Sequence, residues 1–149
     1  MNIIIYDNKN LERLKPFSVN HSPIELRLGA FTNFNRIKNA FNKDDNLILI
    51  VREEIENLIK EKFSEYSVNP DIVPRGICLN SSAIISDNDI NLINEKQNLA
   101  NNGKLVSFYL DKEVLLKQFI GLDKNRKVLK NYLKKKLTLT CSEINDPNC

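Results

Sequence analysis

The residues best placed to do chemistry are gathered in one stretch, residues 13–41, RLKPFSVNHSPIELRLGAFTNFNRIKNAF. It holds the cations Arg13, Lys15 and Arg27, the carboxylate Glu25 and the chain's one histidine, His21. Pro16 and Pro23 bracket a run that cannot be one regular element, because each removes a backbone donor and pushes the preceding residue toward extended geometry. Cations on an irregular loop could cradle an anion. Each also has a plainer reading: Arg13 and Lys15 as solvated charges flanking Leu14, Arg27 and Glu25 as a local ion pair or as ties to the loop's carbonyls. Gly29 sits where a positive φ or a close approach would be needed at the start of a helix. His21 reads as a surface loop residue, and with Ser22 it makes no nucleophilic pair, since neighbours in an extended loop point apart.

The elements that must position this loop are legible from their patterns. From Thr32 or Asn33 onward a helix is expected, capped by a short polar side chain, with Phe34, Ile37 and Phe41 on one face. Residues 2–6, NIIIY, form a continuous apolar run rich in β-branched side chains, as a strand covered on both faces does. Further strands are expected at 47–51 (LILIV), at 76–79 (GICL, followed by Asn80-Ser81-Ser82) and at 104–110 (KLVSFYL). A helix is expected over 53–63, with Ile55, Leu58, Ile59 and Phe63 inward and Glu56 paired to Lys60. Another is expected over 88–100, capped by Asp87. A third would run from Asp111 through Ile120 and stop at Gly121, and a last one would span 123–137.

Strands alternating with helices of this length imply an α/β protein: a Rossmann-like three-layer sandwich, its sheet mostly parallel and its helices on both faces. Residues 1–140 would form one domain and 141–149 a loosely ordered tail. Such sheets place ligand sites in the loops at the carboxyl ends of their strands. Here those loops begin at Asp7, Arg52 and Asn80, and the stretch at 13–41 continues the first of them.

Composition narrows the classes. A chain of 149 residues with net charge +3 is one domain's worth, and the mild charge argues for no particular partner. Cys78, Cys141 and Cys149 lack metal-ligand spacing, and with one histidine a zinc site is not expected. Cys78, inside an apolar strand, reads as a buried free thiol. The N-terminus lacks a secretory pattern, and no apolar run approaches the ~20 residues of a membrane span. A soluble cytoplasmic protein is expected. Residues 111–136 carry nine Lys or Arg against three acids. That basic face could dock on an anionic surface, or could be an ordinary solvated face. Interleaved aromatics and nucleic-acid motifs are missing from it, so nucleic acid is not the expected partner.

The order of motifs resembles the sugar nucleotidyltransferases, in particular those related to bacterial N-acetylglucosamine-1-phosphate uridylyltransferase. The residues that carry the likeness are Asp7 after the first strand, residues 14–18, Ser22-Pro23, and Glu25-Leu26-Arg27-Leu28-Gly29 before a helix. ICLNSS and KLVSFYLD resemble that family's later strands. The resemblance implies joining a sugar 1-phosphate to a nucleoside triphosphate, with Mg²⁺ as the accompanying ion. It implies Arg13, Lys15 and Arg27 as the catalytic cations and Asp7, Glu25, Gly29 and Asn80 as substrate-binding residues. It also implies a hexapeptide-repeat partner chain, since the family's usual β-helix of such repeats is not in this sequence.

The sequence departs from the wider pattern in several places. YDNKNLE replaces a glycine-rich phosphate loop. Ser22 stands for an arginine, Ile24 for a lysine and Asn80 for a metal-binding aspartate. Two readings therefore stand: a domain that binds nucleotide or sugar phosphate and transfers, or a non-catalytic interaction module of the same fold acting through its basic C-terminal helices.

Overall fold

Strand β1, Asn2–Tyr6, divides the core by the alternation of its side chains. Ile3 and Ile5 enter one buried cluster, and Ile4 and Tyr6 enter another. In the computed structural model, residues 1–7, 15, 17, 20–101, 104–124, 138–139 and 142–143 are described. After β1 come the short strands β2 (Arg27–Leu28) and β3 (Phe31–Thr32), helix α1 (Asn33–Ala40) and strand β4 (Asn46–Ile50). Then follow α2 (Glu56–Lys62), β5 (Ser67–Val68), β6 (Ile72–Val73), β7 (Gly76–Asn80) and β8 (Ala83–Ile84). The rest comprises α3 (Asp87–Asn94), β9 (Leu99–Asn101), β10 (Lys104–Leu110), β11 (Val114–Leu115), α4 (Leu116–Lys124), β12 (Thr138–Leu139) and β13 (Ser142–Glu143).

The main sheet has the order β12-β9-β10-β7-β1-β4-β5. β1 lies at its centre, parallel to β4 and to β7, with Tyr6 level with Ile50 on one side and Asn80 on the other. β5 is parallel to β4, and β12 to β9, while β10 runs against both its neighbours. The result is a mixed α/β fold with a mostly parallel sheet. Phe34 and Ile37 of α1, Ile59 of α2 and Ile93 of α3 join the first cluster. Phe119 of α4 and Val73 of β6 join the second. Both faces of β1 are thereby kept from water, which is why its sequence is continuously apolar.

Several expectations need correction. α3 ends at Asn94, not near residue 100, and its cap is Ser86, whose side chain accepts from Asp89 N–H. The chain reverses there because Lys96 adopts φ 60°, with its N–H bonded to Ile93 O and that of Gln97 to Leu92 O. This is a helix-ending turn made without glycine. Residues 99–101, expected to be helical, are instead strand β9. Asp111 caps no helix: residues 114–115 pair with β6, and α4 starts at Leu116 and continues through Gly121. Leu58 is 41 % exposed. Ile55, Ile59 and Phe63 share a stripe four residues apart, and Leu58 falls about 100° off it.

Cys78 is a buried free thiol, pushed upward in pKa by burial. Among the described residues, no helix is long and apolar enough to cross a membrane. Within the expected tail, Ser142–Glu143 pairs with β8. The helix expected over 123–137 lies outside the described residues beyond Lys124, as do Cys141 and Cys149.

Candidate functional site

Asp7 stands at the carboxyl edge of the sheet, one residue past β1. Its N–H donates to Ile50 O at 2.8 Å, and Ser81 N–H donates to Tyr6 O at 2.8 Å, so the ends of β4 and β7 close around it. Asp7 Oδ1 accepts two hydroxyl hydrogen bonds, from Ser22 Oγ at 2.7 Å and Ser81 Oγ at 2.8 Å. Its Oδ2 is buried and has no partner among the described residues. The residue as a whole is partly exposed, but its carboxyl group is enclosed. Burial raises the Asp7 pKa from 3.8 to about 6. The two serine hydroxyls and the positive charge of Arg52 pull it down, and the charge of Glu25 adds a smaller upward push.

Local sequence explains how Ser22 gets there. Residues 22–25, SPIE, match the S-x-x-E capping box with proline at the first helical position. Pro23–Glu25 is one turn of 3-10 helix. Glu25 Oε2 accepts the Ser22 N–H at 2.9 Å, and Glu25 Oε1 accepts from Lys62 Nζ, at the end of α2, at 2.8 Å. Ser22 is fully buried. On the neighbouring strand end, Arg52 donates to His21 O at 3.3 Å. The His21 ring stacks on Phe17 with centroids 4.6 Å apart, and its Nδ1 lies 3.2 Å from Phe17 O. From α1, the buried Asn33 side chain donates to Ser81 O at 2.7 Å and to Ala83 O at 3.3 Å. Side chains thus tie the loop after β1 and helix α1 to strand ends that the sheet ladder already holds together.

Of the residues singled out from the sequence, Asp7 and Glu25 fall in this one network, linked through Ser22. Arg27 and Gly29 belong to the β2–β3 hairpin. Gly29 has φ 78° as the first of the two turn residues, the geometry of a type II′ turn. The Arg27 guanidinium donates to Ala30 O at 3.2 Å and is exposed. Asn80 is buried and faces β10: its Nδ2 donates to Leu105 O at 3.3 Å and its Oδ1 accepts from Ser82 N–H at 3.0 Å. Lys15 is exposed, and Arg13 lies outside the described residues. Ser22, Ser81 and Arg52 are not among the site residues expected from the sequence. The capping-box spacing marked Ser22; Ser81 carries no such mark, because it meets Asp7 only once β7 lies beside β1.

A family model described as sugar nucleotidyl transferase matches residues 3–147. The chain belongs to that family. The match takes in β1 from Ile3 onward, the Asp7 network and every later element described above, so this edge of the sheet lies inside the family's domain. No curated protein matches the sequence. Among the described residues of this sugar nucleotidyl transferase family member, no group of three or more His, Cys, Asp or Glu is placed to hold a metal ion.

Proposed function

We propose that this domain binds a nucleotide or a sugar 1-phosphate across the carboxyl edge of its sheet, with Asp7 receiving a ligand hydroxyl. The observation that carries this is Asp7 Oδ2, buried and without a partner among the described residues. A carboxylate held in a low-dielectric position with an oxygen left over is costly to the fold, and such groups concentrate at functional sites. Membership of the sugar nucleotidyl transferase family supplies the ligand class. Helices contributing to both apolar clusters support the Rossmann-like three-layer arrangement, which puts ligands at this edge. Kinship with the N-acetylglucosamine-1-phosphate uridylyltransferases rests on residues 14–29.

In the transfer itself, an oxygen of the sugar 1-phosphate bonds to the α-phosphorus of the triphosphate. The bond from that phosphorus to its bridging oxygen breaks, and pyrophosphate leaves with the electron pair. The attacking phosphate oxygen is already anionic, so the step needs no general base. Positioning and charge neutralisation are the protein's share. Asp7, ionised above its pKa of about 6, fixes a sugar hydroxyl. Arg52, beside it, joins Arg13 and Lys15 as the cations proposed for the phosphates. Arg27 would first have to leave Ala30 O. Mg²⁺ would accompany the triphosphate and neutralise part of its charge, since it is commonly bound through substrate phosphates together with one or two carboxylates. Asp7 as a residue is partly exposed at this edge, the side from which a ligand hydroxyl would approach.

The test is to incubate the protein with Mg²⁺, a panel of nucleoside triphosphates and a panel of sugar 1-phosphates. Pyrophosphate release is measured together with the thermal midpoint. A pair that releases pyrophosphate, or a ligand that raises the midpoint in wild type and not in Asp7→Asn, supports the reading. No release and no thermal shift with any pair would overturn it. Stabilisation without release would identify a binding domain that does not transfer.

A further inference from the structure

We propose that Glu25 is a positioning residue that aims the Ser22 hydroxyl at Asp7, and that it does not itself hold substrate. The inference rests on the reading of Asp7 as the ligand-facing carboxylate. Both oxygens of Glu25 are committed: Oε2 to the Ser22 N–H at 2.9 Å and Oε1 to Lys62 at 2.8 Å. The Ser22 hydroxyl in turn donates to Asp7 at 2.7 Å. Fixing the backbone of Ser22 fixes the direction of its Cα–Cβ bond. A hydroxyl aimed by a rigid turn loses little freedom when it donates, and that is what makes its hydrogen bond to a carboxylate count. Lys62 anchors the far end of the chain of contacts to α2, so the loop after β1 and the helix after β4 bear on one carboxyl group.

Among the described residues, the groups acting on Asp7 are the Ser22 and Ser81 hydroxyls, the Arg52 guanidinium just past β4 and the Glu25 carboxylate. Removing Glu25 therefore has two opposite effects on Asp7. Loss of a nearby negative charge favours ionisation, and loss of the aimed hydroxyl disfavours it. A pair of variants separates them. Glu25→Gln and Glu25→Ala both discharge the site, but only glutamine keeps a carbonyl oxygen for the Ser22 N–H.

The measurement is the titration of the Asp7 carboxyl carbon by NMR in the full chain, without ligand. Asp7 in Glu25→Ala is expected to titrate about one pH unit above Asp7 in Glu25→Gln, the size of one lost hydrogen bond to a charged group. Ser22→Ala in the Glu25→Gln background should reproduce the alanine value. Coincident titrations in Glu25→Gln and Glu25→Ala would overturn the proposal. Should Glu25→Ala fail to fold, Glu25→Asp against wild type replaces the pair. Charge is then conserved and only reach is lost, so an unmoved midpoint counts against the aiming role. Because no ligand is used, a failure here is distinct from a failure of the binding reading. That reading is checked separately with UTP and Mg²⁺, where Glu25→Gln should retain more of the wild-type thermal shift than Glu25→Ala.

Discussion

The two ends of β1 solve different problems. At the amino end, the polar side chains are tied to one another and to backbone. The Asn2 side chain donates to Arg75 O at 3.0 Å and accepts from Asn46 Nδ2 at 3.1 Å, and the Met1 ammonium meets Asp45 at 3.1 Å. Gly76 lets β7 approach so closely that a Cβ there would lie 2.3 Å from Asn2 O. At the carboxyl end, the Asp7 carboxyl is buried, and among the described residues its Oδ2 and the buried Ser82 hydroxyl have no partner. One end is arranged for stability. The other carries unmet hydrogen-bonding capacity that a ligand could use, as strained or unsatisfied groups at functional sites commonly do.

Substitutions at the two ends test that contrast. The largest effect is expected at the amino end: Gly76→Ala should cost about 3 kcal/mol, because the new Cβ meets backbone that cannot yield without shifting β1. Urea denaturation measures it, and a loss under about 1 kcal/mol would show that the strands separate easily there. Next comes a side-chain tie at the other end. Asn69, at φ 49°, accepts from Val51 N–H at 2.8 Å and donates to Val51 O at 3.0 Å. Asn69→Ala removes both bonds and keeps the unfavourable φ, so a loss of about 2 kcal/mol is expected in the same assay. Little loss would mean that the edge near β4 is held by something else. The smallest effect is at Asp45, which takes the Met1 ammonium and the Asn42 N–H at the exposed amino end. Asp45→Ala should cost about 1 kcal/mol, and high salt should shrink that difference.

The sequence made the sheet readable and the site only half so. Apolar runs such as NIIIY and LILIV announce buried strands because both their faces are covered. Thr32 caps α1 as expected, its side chain accepting from Asn35 N–H. What misled was punctuation. Lys96 turns the chain where glycine would have signalled it, and Gly121 interrupts nothing. Strand β9 was hidden for that reason. In the site, Asp7 and Glu25 stood out as charged residues in the right loop. Their connection through Ser22 depends on a capping box whose spacing was visible, and on a tertiary contact that was not. Asn80 drew attention by its place at a strand end, yet its amide is engaged with β10 and the following turn. A place at the carboxyl edge therefore does not by itself leave a side chain's polar atoms unengaged.

The pH dependence of Asp7 follows from its raised pKa. The folded protein binds this proton more tightly than the unfolded chain does. Stability from this group is therefore fully present below pH 3.8 and falls as pH rises through about 6. Above that range the buried charge costs the fold on the order of 3 kcal/mol. The most direct measurement is the urea unfolding free energy of wild type and Asp7→Asn, without ligand, across this range. The neutral variant is expected to match wild type near pH 4 and to exceed it by about 2 kcal/mol at pH 8, the amide's own unpaired N–H taking back part of the gain. Two curves that run parallel, or a wild type that is the more stable at pH 8, would contradict the claim that the fold keeps a costly carboxylate at this edge for a ligand.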